Sequence, residues 1–148
     1  MMELVWHYTF GDAFRSILES GLIMPATANI SERERPIVWF STNQEWDQTV
    51  PKGLMKNGVI VDLDREAMIA AGLRLGRIGV SPVTAPYLWS TLKRLSRMNH
   101  RMSRGLVAAA LAKGADLKEW RGTFESVPRE KWVAVEVWQD SRFVPYAD

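Results

Sequence analysis

Short segments rich in β-branched and aromatic residues recur along the chain and most constrain how it folds. They predict strands at residues 4–9, 37–41, 59–63, 73–80 and 132–138, with residues 143–146 able to pair with the last of these. Helical patterns lie between and after them, at residues 12–20, 64–72 and 87–113. Because this order is not a regular strand–helix alternation, we predict an α+β fold in one domain, residues 1–148.

Several residues predict where helices and loops begin and end. Asp12 can cap the first helix, and Gly21 suits the left-handed position after its end. The long helical region is expected to break near Asn99. Residues 42–56 are polar and irregular, and their length favours a lid or binding loop over a plain connection.

Composition excludes several classes of site. The chain has no cysteine, so disulfides, thiolate nucleophiles and cysteine-ligated zinc are ruled out. With two histidines, we expect no catalytic metal. We expect no signal peptide, because the first ten residues contain no basic stretch followed by an apolar run, and no apolar segment approaches the roughly 20 residues that span a bilayer. We therefore expect a cytoplasmic protein.

A net charge of +2 conceals a strong asymmetry. Residues 67–115 contain eight Lys and Arg but no Asp or Glu. Five of these bases recur at three- and four-residue steps, which predicts one side of a helix: Lys93, Arg94, Arg97, Arg101 and Arg104. The block is a candidate surface for the phosphates of a dinucleotide or nucleic acid, and it equally fits a solvated helix face.

Three short motifs carry a family resemblance. The first strand contains His7-Tyr8-Thr9, and a helix follows it. The second carries Trp39-Phe40-Ser41-Thr42, and glutamates lie near the C-terminus. This order resembles the histidine-bearing branch of the ADP-ribosyltransferase fold, in which a histidine, an aromatic residue with a small hydroxyl neighbour, and a glutamate follow one another. The resemblance implies split antiparallel β-sheets with flanking helices and NAD as a substrate.

The resemblance also implies roles for individual residues. It assigns NAD binding to the following side chains: His7, Tyr8, Thr9, Trp39, Phe40, Ser41, Thr42 and Arg77. An aromatic wall would stack the nicotinamide, His7 would hydrogen-bond a ribose, and Arg77 would meet the pyrophosphate. A carboxylate would stabilise the oxocarbenium-like state formed when nicotinamide leaves. Glu136, on the last main strand, is slightly preferred for this role over Glu125, in the preceding loop.

Each of these residues also fits a purely structural role. His7 between two aromatic neighbours is commonly a satisfied structural histidine, and Trp39 and Phe40 are typical of a core. Ser41 and Thr42 can simply end a strand. Arg77 can pair with Asp62 or Asp64.

Two functions stay open at this point, with a weaker third. The first is an enzyme that transfers ADP-ribose from NAD or hydrolyses NAD, of the size of a small toxin or phage-related effector, with a protein or nucleic acid as target. The second is a non-catalytic nucleotide- or partner-binding module, favoured by Tyr8, where the family often has glycine. A phosphoryl-transfer relative would need further basic residues near the first strand, and residues 1–9 contain no Lys or Arg.

Overall fold

The computed structural model describes residues 3–27, 32–47, 49, 54–56, 59–61 and 64–147. The strands within them are β1 (Val5–Phe10), β2 (Leu22–Ile23), β3 (Val38–Ser41), β4 (Leu54–Lys56), β5 (Val59–Val61), β6 (Leu75–Val80), β7 (Tyr87–Leu88), β8 (Trp120–Thr123), β9 (Val127–Pro128), β10 (Trp132–Gln139) and β11 (Arg142–Pro145). The helices are α1 (Gly11–Ser20), α2 (Arg65–Ala70), α3 (Trp89–Leu95) and α4 (His100–Ala112), with 3₁₀ turns at Leu117–Glu119 and Arg129–Lys131.

The main sheet has seven strands in the order β11-β10-β6-β1-β3-β8-β7, and neighbours pair antiparallel throughout. β2 pairs with β9 and β4 with β5, also antiparallel. Helices together with antiparallel strands agree with the predicted α+β class. β1 lies near the middle of the sheet, which places His7 and Tyr8 far from either edge.

Alternation along β1 supplies two separate cores, one on each face of the sheet. Val5 packs into the first core, where Ile17 of α1 covers it. Trp6 and Tyr8 point the opposite way into the second core, which Met68 of α2 completes. The sheet is therefore covered by helices on both faces.

Helix ends follow the predicted signals except at the start of α1. Gly21 has a φ of 73°, the left-handed conformation predicted for it, and Asn99 caps α4 by accepting from the Met102 amide at 2.7 Å. Asp12 does not cap α1, because the helix already begins after the extended Phe10. Asp12 instead lies in the first turn and pairs with Arg15.

The predicted single basic helix face is wrong. The bases are divided between α3, which carries Lys93 and Arg94, and α4, which carries Arg101 and Arg104. Arg97 lies between them with a φ of 61°, so the chain turns there and the three- and four-residue steps do not continue on one axis. All five side chains are nevertheless exposed.

The predicted irregular segment is in part regular. Residues 42–47 are irregular as expected, but Leu54–Lys56 forms β4 and pairs with β5. The remainder of the predicted loop lies outside the described residues, except Thr49. The predicted strand at residues 59–63 is observed as Val59–Val61, and residues 62 and 63 lie outside the described part of the chain.

Candidate functional site

A cavity of about 160 Å³ lies where β1 and β3 separate. The two strands pair at one position, Trp6 opposite Ser41, whereas β1 and β6 pair at six consecutive positions. The cavity is lined by His7, Tyr8, Trp39, Phe40, Asp47, Thr49, Leu106 and Trp120. Neighbours His7 and Tyr8 on a strand point to opposite faces, so the cavity occupies the gap between strands.

His7 bridges this gap with a hydrogen bond. Its Nδ1 donates to the carbonyl oxygen of Trp39 at 2.7 Å, and a carbonyl can only accept, which fixes the proton on Nδ1. Burial lowers the pKa of His7 below its usual value, and the bond to Trp39 and the charge of Asp47 only partly oppose that effect. The ring is therefore neutral, and within the described residues Nε2 has no hydrogen-bond partner, which leaves it as an acceptor for a ligand.

Tyr8 is held in place through its hydroxyl. It donates to the carbonyl of Asn43 at 2.5 Å and accepts from Nη1 of Arg77 at 3.2 Å. Burial raises the pKa of Tyr8 to about 12, although the hydrogen bond and charge of Arg77 act in the opposite direction. Tyr8 therefore stays protonated near neutral pH and contributes a fixed aromatic wall.

Three tryptophans form the apolar side of the site. The Trp39 and Trp120 rings lie 5.6 Å apart at 72°, and Trp89 of α3 packs edge-on against Trp120 at 5.1 Å. Edge-to-face packing of this kind holds each indole in one orientation. The cavity thus has a rigid aromatic wall of the type that accepts a planar ring.

Arg77 and Glu136 lie outside the cavity and pair with each other. They are directly opposite on β6 and β10, and Nε and Nη2 of Arg77 both approach Oε1 of Glu136, at 2.7 and 2.6 Å. The guanidinium lies between the Trp6 and Phe143 rings, 3.9 and 4.3 Å from their centroids. The structure therefore engages Arg77 with Glu136 and not with Asp64, while Asp62 lies outside the described residues.

The remaining predicted residues are distributed around the cavity or away from it. Thr9 is buried on β1, and Ser41 accepts from the Asn43 amide at 3.1 Å. Thr42 donates through its amide to the Glu119 carbonyl at 2.9 Å. Glu125 lines a different cavity, beyond the far end of β8. Of the ten predicted site residues, the cavity brings together His7, Tyr8, Trp39 and Phe40.

Sequence reasoning missed one carboxylate that lines this cavity and another that is next in sequence to a lining residue. Asp47 lines it directly, and its Oδ1 accepts from the amide and the hydroxyl of Thr49, at 2.9 and 2.6 Å. Glu119 immediately precedes the cavity residue Trp120. Its Oε1 accepts a hydrogen bond from the side-chain amide of Asn43 at 3.3 Å. The Asp-x-Thr turn pattern at residues 47–49 was a usable local signal for Asp47. Glu119 had none, because its contact with Asn43 joins residues 76 positions apart.

The described residues contain no group of three or more His, Asp or Glu side chains placed to hold a metal ion, and no helix long and apolar enough to cross a membrane. Comparison of the chain with known protein families, with curated proteins and with solved structures finds no match.

Proposed function

We propose that the cavity between β1 and β3 binds the nicotinamide end of NAD, and that the protein is an ADP-ribosyltransferase-like enzyme that transfers ADP-ribose or hydrolyses NAD. One observation carries this proposal: His7, Tyr8, Trp39 and Phe40, four of the residues that the family resemblance assigns to NAD, line one cavity. That the cavity opens where two strands of one sheet part also suits the split-sheet architecture implied by the resemblance.

The size and lining of the cavity fit part of a dinucleotide. At about 160 Å³ it is smaller than the roughly 300–1,000 Å³ of sites that enclose drug-sized ligands. It therefore accommodates one planar ring, with the riboses and phosphates outside. Trp39 and Trp120 supply the stacking wall, and neutral His7 supplies an acceptor for a ribose hydroxyl or the nicotinamide amide.

The chemistry needs a carboxylate that is oriented but not neutralised. The bond between nicotinamide and ribose breaks with its electron pair leaving on nicotinamide, and water or an acceptor hydroxyl then adds to the ribose carbon and loses a proton. Glu119 suits both charge stabilisation and proton acceptance, because its described partner is the neutral amide of Asn43. Asp47 is tied to Thr49 as a turn cap, and Glu136 is already paired with Arg77.

Nicotinamide release from NAD tests the proposal, with NAD binding followed in parallel by calorimetry. Glu119→Gln is expected to lower release about 100-fold or more with folding intact, while Glu130→Gln, a matched change of an exposed acid, leaves it unchanged. Asp47→Asn, Glu125→Gln and Glu136→Gln complete the series. If Glu136→Gln or Glu125→Gln abolished nicotinamide release while Glu119→Gln kept full activity, the reaction would be assigned to whichever of these two sequence-predicted glutamates was essential.

A non-catalytic nucleotide-binding module is the second candidate. Tyr8 favours it, because the side chain occupies a position where the resembled family often has glycine, and its hydroxyl is committed to Asn43 and Arg77. Saturable NAD binding without nicotinamide release would support the module. Absence of both binding and release would overturn the assignment of this cavity to NAD.

A further inference from the structure

A second cavity, of about 270 Å³, lies beyond the far end of β8 and has no part in the proposed NAD site. Trp120, at the start of β8, lines the first cavity, whereas Thr123, at its end, lines the second. Phe124 and Tyr87 contribute aromatic surface to it, and Arg35 and Lys131 contribute positive charge.

The aromatic side chains of this second cavity form an open platform. The Tyr87 and Phe124 rings lie 5.8 Å apart at 44°, and Tyr87 is on the edge strand β7 with 36% of its surface exposed. Val83, at the rim, is 78% exposed. The guanidinium of Arg35 lies over the Phe124 ring, 4.1 Å from its centroid. Stacking surface beside a cation is the combination that holds a nucleobase together with its phosphate.

The charge of this cavity favours an anionic ligand. Arg35 and Lys131 are both exposed, and neither forms a salt bridge within the described part of the chain. Glu125 is the single acid among the lining residues and offers an acceptor for the amino group of a base or a ribose hydroxyl. Guanidinium and ammonium groups that form no salt bridge to a protein carboxylate are able to bind phosphate.

The surface next to the cavity continues the positive charge. α3 packs against β7 and β8, which carry the cavity residues Tyr87 and Thr123. Its Lys93 and Arg94 are exposed, as is Arg97 beyond its end, within the acid-free residues 67–115. A chain of phosphates leaving the cavity along α3 would therefore meet further cations, which a free nucleotide would not use.

We propose that the second cavity binds one nucleotide of a single-stranded nucleic acid, with the base stacked on Tyr87 and Phe124 and the phosphates against Arg35 and Lys131. A duplex does not satisfy this arrangement, because its bases are stacked on each other and cannot lie on a protein ring. The inference goes beyond the proposed NAD activity and does not depend on it, since binding needs no dinucleotide.

Fluorescence anisotropy with a short fluorescein-labelled oligothymidylate tests the inference, in the full chain and without NAD. Tyr87→Leu keeps an apolar side chain but removes the stacking surface, and it is expected to weaken binding about 10-fold. Lys131→Gln is expected to reduce the slope of log affinity against log salt by about 0.7, the value for one phosphate contact of a single strand. Arg142→Gln is the matched control, an exposed base on β11 at the opposite edge of the sheet.

Three results would overturn the inference. The first is unchanged affinity in Tyr87→Leu and Phe124→Leu when circular dichroism and thermal unfolding show both variants folded. The second is equal loss in Lys131→Gln and Arg142→Gln, which would indicate nonspecific attraction to positive charge. The third is equal affinity for the oligothymidylate, its duplex with oligoadenylate, and thymidine monophosphate, because a preference for unpaired, continuous strands is what the geometry predicts.

Discussion

Nδ1 of His7 lies 2.7 Å from the carbonyl oxygen of Trp39, across the gap that opens between β1 and β3. This bond replaces the strand pairing that ends at Trp6 and Ser41. It fixes the imidazole tautomer and holds the two strands at the separation that forms the cavity. One histidine thereby links the shape of the sheet to the hydrogen-bonding chemistry of the cavity.

The first prediction is that His7→Gln weakens NAD binding about 5- to 10-fold, the effect of one lost hydrogen bond of about 1 kcal/mol. Isothermal titration calorimetry measures the affinity. His100→Gln changes an exposed histidine at the start of α4 and is expected to bind NAD as the unaltered protein does. Wild-type affinity in His7→Gln would remove His7 from the binding site.

The second prediction concerns pH. Because burial lowers the pKa of His7 in the folded protein, the unfolded chain takes up a proton first as the pH falls below 6.5. This contribution to stability is fully present above that pH and is lost as the pH falls towards the lowered folded value. Urea unfolding across this range should show a decrease in the free energy of unfolding that is smaller in His7→Asn. An identical pH dependence in His7→Asn would contradict the prediction.

The third prediction is that Arg77→Met destabilises the protein by about 3 kcal/mol, because it leaves the Glu136 carboxylate, only 20% exposed, without its cation. The double variant Arg77→Met/Glu136→Leu should recover most of this loss, since no unpaired charge remains. Urea denaturation of both variants measures the difference. Arg15→Met, which breaks the exposed pair with Asp12, should cost no more than about 1 kcal/mol.

The fourth prediction contrasts two glycines. A Cβ at Gly76 would meet the buried Phe14 ring at 2.2 Å, so Gly76→Ala should destabilise by about 1–3 kcal/mol. A Cβ at Gly105, inside α4, meets nothing within 4 Å, so Gly105→Ala should stabilise by about 0.5–1 kcal/mol. Thermal unfolding reports both. A neutral Gly76→Ala would mean that Phe14 can move away from the sheet.

Local sequence patterns were sufficient for most elements but not for the full site. Strand-forming residues placed β1, β6 and β10, and the break expected near Asn99 placed the start of α4, close to where they lie, because those signals act within a few residues. The family resemblance selected His7 and Trp39, and both line the same cavity. It also selected Glu136, and pattern alone could not reveal that Arg77 stands opposite it on β6.

Contacts between distant segments explain what was missed. The backbone carbonyl of Asn43 accepts a hydrogen bond from the Tyr8 hydroxyl, and its side-chain amide donates one to Glu119. These two bonds join three segments that are 35 and 76 positions apart in the sequence. None of these residues lies in a periodic pattern that would have indicated a shared site. The basic surface is interrupted because the left-handed Arg97 redirects the chain, close to the break expected near Asn99, so the spacing of the bases does not continue on one helix axis.

The walls of the first cavity come from widely separated stretches: His7 on β1, Trp39 on β3, Leu106 on α4 and Trp120 on β8. During synthesis on the ribosome these stretches emerge one after another, and β1 cannot pair until its later-synthesised partners, β3 and β6, have emerged. A chain interrupted before Trp120 therefore lacks one wall of the cavity, whatever structure its earlier part has acquired. Any activity that depends on this cavity can arise only late in translation, once most of the described sheet is available to assemble.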